Sequence, residues 1–277
     1  MTRKKCKIFS IANQKGGVGK TTTTISLAQY FASKGQKVLV IDLDSQGHVA
    51  KSFGHKASDA VLGVVISGVP IPAVILRARP NLDVISSGKR TEPTLSTYLL
   101  SNYREKASLA LASTFLGFIE EGRYDYVFID TPPASGILQT SAVVMSDYVI
   151  VPINPERLSL EGLSEMMTTL AAVRQMPDLE IPPVFFGVLL TRYDRNTNVT
   201  KRMVTNAISM VGGDKSLILP PIPTDAKIRE ASEYGQTVFE FAPNSPGAIG
   251  FENDALAKNS QGRIGGYLHL AEIIEAL

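Results

Sequence analysis

The sequence has almost no cysteine, since Cys6 is the single one among 277 residues. One thiol cannot build a disulfide framework, a cysteine-ligated zinc site or a four-cysteine cluster, and such a chain fits the cytoplasm. An excess of charge is also missing, because the formal net charge is +2. This balance is too mild to indicate nucleic-acid binding, so a DNA interface would have to rest on a local cluster of cations. His48, His55 and His269 lack the spacing of metal ligands, and we interpret them as surface or packing residues.

Apolar runs long enough for a membrane helix are absent as well. The most apolar stretch, residues 60–76, is too short, and Pro70 and Pro72 interrupt it. We expect a buried segment or a partner-facing loop there. The basic start of the chain has too little apolar sequence for a signal peptide. The final helical pattern, residues 266–276, has two glutamates and no lysine or arginine. Anionic lipid would repel it, so we expect core packing and no membrane partner.

Along the chain, short runs rich in β-branched residues alternate with longer helical patterns. Strands are predicted at residues 7–12, 37–42, 82–86, 126–130, 148–153 and 184–191, and helices at 21–34, 105–121, 160–175, 198–211 and 266–276. Apolar strands that alternate with helices indicate an α/β fold with a mostly parallel, twisted sheet and helices on both faces. No linker or repeat divides the chain, so one domain over residues 1–277 is the simplest interpretation.

A glycine-rich segment joins the first strand to the first helix. Its residues are Lys15, Gly16, Gly17, Val18, Gly19, Lys20, Thr21 and Thr22. Glycines let backbone N–H groups surround an anion, and the helix N-terminus adds partial positive charge. Lys20 would hold the outer phosphates of a nucleotide and the Thr21 hydroxyl would ligate Mg²⁺. The usual phosphate-loop pattern has a glycine where Gln14 stands, and a second lysine, Lys15, follows it. An ordinary glycine-rich turn that caps a helix is the alternative.

The segment KGGVGKTT resembles the deviant Walker A motif of the ParA/MinD ATPases, which have a P-loop NTPase-like fold. VLVIDLDSQG at 38–47 is similar to the family's second acidic motif, and DYVFIDTPP at 125–133 to its Walker B strand. LTRYDRNTN at 190–198 and PPIPTDAKIREASEYGQTVFEF at 220–241 resemble later segments. The resemblance therefore extends over most of the chain, and it implies ATP/ADP and Mg²⁺ as cofactors.

Three aspartates follow or end predicted strands. Asp42 and Asp44 end the second strand, and Asp130 ends the apolar run 126–129. Strand alternation would place Asp42 and Asp44 on opposite sides, unless the strand has already turned into a loop. The resemblance implies that Asp42 holds a Mg²⁺-bound water and that Asp44 positions the attacking water. A buried carboxylate such as Asp130 needs a partner, and Mg²⁺ acting through water is the natural one. The alternatives are solvated loop carboxylates for Asp42 and Asp44, and a cap of the following turn for Asp130.

The resemblance also assigns the base and a subunit interface. Adenine would lie near segments 191–193 and 223–225, with Pro223 and Thr224 as its contacts, although both could equally be packing residues. Because Lys20 already serves the chain's own phosphates, Lys15 is poorly explained by one monomer. In the family the matching lysine contacts the phosphates of the other subunit, which implies a homodimer when ATP is bound and a catalytic set of Lys15, Lys20 and Asp44. A surface lysine is the alternative for Lys15.

The presence or absence of particular residues indicates which branch of the family the chain resembles. The lone Cys6 excludes the nitrogenase-reductase branch, and the acidic final helix disfavours the membrane-binding MinD branch. The ParA branch remains, with non-specific DNA binding through the cations Arg192, Arg195, Lys201 and Arg202, association with the nucleoid, and a ParB-like or cargo-adaptor partner. A solvated charged face is the alternative for these cations. Because the phosphate loop begins at Lys15, no N-terminal helix-turn-helix domain is expected. The cargo is left open among a plasmid, a chromosome region and an assembly such as a carboxysome.

Two functions of different class follow. One is an ATP-dependent dimerising switch with weak ATPase activity that is stimulated by DNA and a partner. The other is a metabolic P-loop ligase or kinase of the same fold, acting on a small substrate in a monomeric site. Lys15 favours the switch.

Overall fold

The computed structural model describes residues 6–156, 158–179, 181–252 and 258–277. Its strands are β1 (Lys7–Ile11), β2 (Val38–Asp42), β3 (Leu76–Arg79), β4 (Leu82–Ile85), β5 (Tyr126–Asp130), β6 (Tyr148–Ile153), β7 (Val184–Leu190) and β8 (Ile218–Leu219). In this part of the chain they form one sheet with the order β3-β4-β2-β5-β1-β6-β7-β8. All neighbours are parallel except the edge pair β3 and β4. The six predicted strands are present, within about two residues at their ends.

The helices cover both faces of the sheet, as the alternation predicted. They are α1 (Lys20–Ser33), α2 (His48–Ser52), α3 (Ala60–Ser67), α4 (Ile71–Val74), α5 (Thr91–Tyr103), α6 (Ala107–Glu120), α7 (Ile137–Met145), α8 (Leu158–Arg174), α9 (Asn198–Met210), α10 (Ala226–Glu233), α11 (Val238–Phe241), α12 (Pro246–Ile249) and α13 (Gly266–Glu275). One apolar core lies between the sheet and α3, α5, α6, α7, α8 and α9. The other lies between the sheet and α1, α2, α11, α12 and α13. Each face of the central strands is therefore buried.

The two segments that could have suggested a membrane are part of the globular fold. Residues 60–76 form α3, α4 and the first residue of β3, and Val61 in α3 is completely buried. The final helix α13 packs against α1, and its Leu270 and Ile274 are completely buried. His269 in this helix accepts a hydrogen bond from the Gly265 amide (3.1 Å). Among the described residues, no helix is long and apolar enough to cross a membrane.

Several elements were missing from the sequence prediction. The strand β3 is four residues long and antiparallel at the sheet edge, and only Ala78 in it is buried. The strand β8 is shorter still, with two residues. Helices α5 and α7 were also not predicted, although Leu95 and Leu99 of α5 pack in the core. These elements are held by tertiary contacts, since their own residues give only a weak periodic signal.

The register of the central strands fixes where their polar ends meet. Ile11 at the end of β1 pairs with Asp130 at the end of β5, and Asp42 at the end of β2 pairs with the same Asp130. Because these strands are parallel, their carboxyl ends lie at one edge of the sheet. This edge also carries the glycine-rich loop, which follows β1. The sheet thus brings the loop and the predicted acidic residues together.

Candidate nucleotide site

The glycine-rich loop connects β1 to α1, as the sequence predicted. Gly17 and Gly19 have φ angles of 72° and 93°, in the left-handed region that favours glycine. A Cβ atom at Gly19 would also come within 3.2 Å of Thr191 Cγ2. The Asn13 side chain holds the start of the loop, because its Nδ2 donates to Pro152 O (2.8 Å) and its Oδ1 accepts from the Lys15 amide (2.8 Å). The loop is therefore fixed from both sides, with α1 beginning at Lys20.

The Lys20 side chain points into the loop. It is 6% exposed, and its Nζ donates to the Lys15 carbonyl oxygen at 3.0 Å. Burial lowers the pKa of Lys20, while the negative charges of Asp130 and Asp44 oppose that shift. An ammonium that is partly desolvated and held by a single carbonyl is well placed to bind an anion in the loop.

Asp42 and Asp44 lie at the same edge, on the strand end and in the following loop. Asp42 is completely buried and accepts from the amides of Asp44 (3.0 Å) and Val49 (3.3 Å). Burial and the nearby Asp130 carboxylate raise the pKa of Asp42 well above its usual range. Asp44 accepts from the Gln46 amide (2.9 Å). The chain has already left β2 at Asp44, so strict strand alternation does not apply to it.

Asp130 lies beneath the start of α1 and is completely buried. Its Oδ2 accepts a hydrogen bond from Thr21 Oγ1 at 2.6 Å. Its Oδ1 makes no hydrogen bond in the described part of the chain; the Thr24 hydroxyl is close enough to lower the pKa but does not complete one. Burial raises the pKa of Asp130 to about 7, with Thr21 and Lys20 opposing the shift. The orphaned oxygen marks a place for an additional donor or cation.

This geometry fits Mg²⁺ held mainly through water and phosphate. Among the described residues, no group of three or more His, Cys, Asp or Glu side chains is arranged to ligate a metal directly. Mg²⁺ keeps several waters and takes one or two protein oxygens together with substrate phosphates. Thr21 could supply a direct ligand, while Asp42 and Asp130 could accept hydrogen bonds from bound water. The donor set is therefore compatible with Mg²⁺, and the roles of these three residues stay predictions.

A cavity of about 810 Å³ opens beside the loop. Its lining includes the predicted residues Gly16, Gly17, Gly19, Lys20, Thr21, Thr22, Asp44, Pro223 and Thr224. The lining does not include Lys15, Val18, Asp42 or Asp130. Thr224 is held at the cavity by its amide, which donates to the Tyr193 carbonyl oxygen (3.0 Å). The volume is within the range of small-molecule sites, about 300–1,000 Å³.

The cavity also includes Thr191, from the segment 191–193 that the resemblance places near the adenine, and Tyr267, which sequence reasoning missed. Thr191, directly after β7, donates its hydroxyl to the Val18 carbonyl oxygen (2.9 Å) and so ties that strand to the phosphate loop. Arg229 and Tyr267 also line the cavity, and Tyr267 Oη lies 3.3 Å from Thr23 Oγ1. The segment of Tyr267 is distant in sequence, and only folding brings it to α1.

The four predicted DNA-binding cations have different surroundings. Arg192 lines the nucleotide cavity, has a φ of 50°, and lies 3.9 Å from Glu156. Arg195 donates to the Glu252 carbonyl oxygen (3.0 Å) and lies over the Phe251 ring. Lys201 and Arg202 are exposed in the first turns of α9. The cations thus occupy the loop after β7 and the helix that follows it.

Comparisons with known proteins agree with this fold and site. A family model described as an AAA domain matches residues 6–181. The chromosome-partitioning ATPase Soj of Thermus thermophilus is 31% identical over 95% of this chain and 99% of its own length. The chromosome partitioning protein ParA of Caulobacter vibrioides is 34% identical over 86% of this chain and 88% of its own.

Two solved structures extend the comparison. Apo McdA of Cyanothece has a TM-score of 0.75 and 21% identity over 86% of this chain and 94% of its own, which shows a shared fold. Cobyrinic acid a,c-diamide synthase of Mycobacterium smegmatis with bound ADP and magnesium has a TM-score of 0.69 and 28% identity, covering 83% of this chain and 92% of its own.

Proposed function

The chain belongs to the ParA/MinD family of P-loop ATPases, and we propose that it is a switch that dimerises when ATP is bound and binds DNA without sequence preference. Its cargo would be a plasmid, a chromosome region or a large protein assembly such as carboxysomes. Its role is that of a ParA-like ATPase with ATP/ADP and Mg²⁺ as cofactors. The proposal goes beyond this ATPase role in three respects, which are dimerisation, DNA binding and the cargo.

The surroundings of Lys15 carry the proposal. Lys15 is half-buried, its amide binds Asn13 and its carbonyl oxygen binds Lys20. Its ammonium group makes no hydrogen bond or ion pair with the described residues, and Lys15 does not line the chain's own nucleotide cavity. A cation placed outside that cavity, at the mouth of a phosphate loop, is suited to reach a phosphate held by a second subunit. Each such charge-assisted bond would contribute about 1.5–3 kcal/mol.

Hydrolysis is assigned to residues at the carboxyl edge of the sheet. We assign Lys20 to the β- and γ-phosphates, Thr21 to direct ligation of Mg²⁺, and Asp42 and Asp130 to metal-bound water. Bound Mg²⁺ neutralises charge on the phosphate oxygens. Asp44, which lines the cavity, would orient the attacking water. The remaining residues of the loop would cradle the phosphates with their amides, and Pro223 and Thr224 would contact the adenine.

Slow turnover by the isolated chain follows from this assignment. If Lys15 acts across an interface, a monomer lacks one of the cations that stabilise the transition state. Dimerisation would complete the site, and a ParB-like or cargo-adaptor protein would then accelerate it together with DNA. We further propose that residues 1–277 act as one domain and that the protein works in the cytoplasm on the nucleoid.

DNA binding is assigned to Arg192, Arg195, Lys201 and Arg202. Lys201 and Arg202 are exposed, and both follow a loop that adjoins the nucleotide cavity. Two copies of this surface on one duplex would gain effective concentration, so that a weak contact by each monomer becomes useful. Phosphate contacts of this kind carry no base specificity.

A metabolic ligase or kinase is the second candidate. It is favoured by the structural similarity to cobyrinic acid a,c-diamide synthase at 28% identity. Such an enzyme would need a small acceptor molecule and would work as a monomer. The position of Lys15 outside the nucleotide cavity favours the switch.

The experiment that tests the proposal measures mass and DNA binding together. Light scattering with ATP or a non-hydrolysable analogue should show a change from monomer to dimer, while ADP should leave a monomer. Fluorescence anisotropy on two unrelated duplexes should then give similar affinities that fall steeply with salt, because counterions are released from the phosphates. A protein that stays monomeric with ATP, or that binds no DNA at low salt, would overturn the switch and promote the metabolic enzyme.

A further inference from the structure

A second cavity lies at the opposite edge of the sheet from the nucleotide site. It has a volume of about 510 Å³, and its lining includes Cys6 and Ile8 at the start of β1, Gly122 before β5 and Asp147 before β6. The phosphate loop and Asp130 come after the carboxyl ends of the same parallel strands. Five-residue strands place the two edges roughly 16 Å apart. None of the residues assigned to nucleotide, Mg²⁺ or DNA lines this second cavity, which we call the amino-edge groove.

One wall of the groove is a regular stripe along α6. Leu109, Ala112, Leu116 and Ile119 line the groove at the spacing of successive helical turns. From Leu109 to Glu120 the stripe is about 16 Å long, or about three turns. Ser113 in the same stripe donates its hydroxyl to the Leu109 carbonyl oxygen (2.8 Å), so its polar group is satisfied within α6. Ala112 and Ile119 in this stripe are buried, at 1% and 2% exposure, whereas Leu109 and Leu116 are partly exposed and Ser113 is exposed. The open part of this wall is therefore Leu109, Ser113 and Leu116, which lie along one face of α6, against which another helix could pack.

The opposite wall leaves apolar surface in water. Ile181, between α8 and β7, lines the groove and is 66% exposed, and the nearby Val184 at the start of β7 is 51% exposed. Large side chains with this exposure beside an apolar groove are typical of a surface that a partner covers.

The charged side chains in the described lining of the groove are Glu120, Asp147 and Asp178, and all three are acidic. Asp147 accepts a hydrogen bond from the Ile8 amide (2.9 Å), and Asp178 pairs with Lys106 (2.9 Å). Glu120 at the end of the α6 stripe is exposed and makes no hydrogen bond or ion pair with the described residues. Lysine, arginine and histidine do not occur in the described lining. The groove therefore complements a ligand that is apolar along one side and positively charged at an end, whereas an anionic lipid surface would be repelled.

We propose that the amino-edge groove binds an amphipathic helix of a partner protein, with the apolar side of that helix against α6 and Ile181 and one of its Lys or Arg residues paired with Glu120. Because this edge is remote from the nucleotide site, the partner can stay bound while the opposite edge binds ATP, a second subunit or DNA. This inference is independent of the proposed function.

The test uses synthetic helical peptides of about three to four turns as probes. The first carries leucines at i, i+3, i+4 and i+7 and lysines elsewhere, the second replaces the lysines with glutamates, and the third has the first composition in scrambled order. Fluorescence anisotropy of labelled peptides gives the affinity. The unique Cys6 in the groove supplies a second readout, since a bound peptide should slow its alkylation. Burial, with Asp147 and Asp125, raises the pKa of Cys6 to about 12, so its alkylation is slow, and the rates with and without peptide are compared at one fixed alkaline pH.

Ile181→Asp and Glu120→Lys are the groove variants, and both residues are exposed, so folding should be retained. Val199→Asp on α9, where Val199 is 47% exposed, and Glu121→Lys are the matched controls. The first peptide should bind wild type and both controls alike and bind each groove variant about tenfold or more weakly. ATP turnover should be the same in all five proteins.

The proposal is overturned if the glutamate or scrambled peptide binds as well as the first, or if the groove variants bind like wild type. It is also overturned if the groove variants instead abolish a nucleotide-independent self-association seen by light scattering, because the occupant would then be a second copy of the chain. Turnover and ATP-dependent dimerisation are recorded on the same samples, so failure of the switch would be distinguished from failure of the groove.

Discussion

Lys15 and Lys20 belong to one loop, but the fold gives them different surroundings. The Lys20 ammonium is buried against the Lys15 carbonyl oxygen and lines the nucleotide cavity. The Lys15 side chain is half-buried and outside that cavity. The same residue type can therefore serve two different phosphate groups, one in its own subunit and one in another.

Exchanging each lysine in turn should separate these roles. Lys20→Ala should weaken ATP binding by about 10- to 100-fold, since one charge-assisted bond contributes about 1.5–3 kcal/mol. Lys15→Ala should keep ATP affinity within a few-fold and lose the ATP-dependent dimer. Titration calorimetry and light scattering measure the two effects. Equal ATP affinities for wild type and Lys20→Ala would contradict the assignment of the phosphate loop.

Asp44 is the residue whose removal should separate binding from hydrolysis. It lines the cavity, and the contact that the fold shows for its carboxylate is with the Gln46 amide. Asp44→Ala should bind ATP and Mg²⁺ normally, hydrolyse ATP about 100-fold or more slowly, and accumulate as an ATP-bound dimer. Single-turnover kinetics measures this. Normal turnover would assign water positioning to another group, and Asp214→Ala, at an exposed turn, is the control.

The buried carboxyl of Asp130 predicts a pH dependence. Burial raises its pKa from 3.8 to about 7. Because the raised pKa means that the folded state binds the proton more tightly than the unfolded state, this group contributes stability below about pH 4 that is lost as the pH rises through about 7. The free energy of unfolding of the nucleotide-free protein should therefore fall over this interval, relative to that of Asp130→Asn.

Urea unfolding of both proteins at a series of pH values measures the difference. The pKa of buried Asp42 is raised in the same direction, partly by the Asp130 carboxylate. Asp130→Asn removes that repulsion as well, so the difference between the two proteins reports the titration of Asp130 together with its effect on Asp42. Parallel pH profiles for wild type and Asp130→Asn would mean that Asp130 is ionised at a normal pKa.

At the scale of elements, the loop after β7 connects the nucleotide cavity to α9. Thr191 contacts the phosphate loop, Arg192 lines the cavity, and Lys201 and Arg202 lie in the first turns of α9. Arg192 has a positive φ of 50°, which is uncommon for a residue with a side chain. A nucleotide that changes the position of this loop would therefore also change the position of the proposed DNA contacts.

Charge reversal on α9 should separate DNA binding from the ATP-dependent dimer. Lys201→Glu with Arg202→Glu should leave dimerisation intact, weaken DNA binding, and reduce the slope of log affinity against log salt by about one for each lost phosphate contact. The double variant Lys106→Glu with Arg123→Glu carries the same change in charge at the amino edge of the sheet, where these cations pair with Asp178 and Glu121. If this control loses DNA affinity equally, only net charge matters and the assignment to α9 is wrong.

At the scale of the whole molecule, the fold brings residues near the two ends of the chain together at the nucleotide site. The phosphate loop lies near the start of the chain, and Tyr267 of α13 near its end contacts Thr23 of α1. The family model stops at residue 181, but several residues between 222 and 232 line the cavity. The later part of the chain therefore completes the site that the earlier part begins.

Thermal unfolding tests whether the chain acts as one domain. ATP with Mg²⁺ at about 100 times its dissociation constant should stabilise the folded state by about 2.7 kcal/mol. One calorimetric transition should then move upward by roughly 5–10 °C for a chain of this size. Two transitions, of which ATP moves only one, would show that the chain contains two independently unfolding units. Lys20→Ala is the control, because the same ATP concentration should move its transition much less.

The sequence alone determined the features that depend on neighbours along the chain. The strand, the glycine-rich loop and the helix over residues 7–33 could be predicted because backbone conformation and phosphate binding depend on local residue type and spacing. The aspartates at the carboxyl ends of β2 and β5 could be predicted as site residues because parallel strands present these ends at one edge of the sheet.

Only the tertiary structure decided which distant groups meet. It showed that Asp42 and Asp130 are register partners, that Tyr267 joins the site, and that the short strands β3 and β8 complete the sheet. It also revealed the amino-edge groove, whose walls come from segments far apart in sequence. Burial, pKa and charge complementarity depend on atoms brought together across the fold, and no local pattern of residues contains that information.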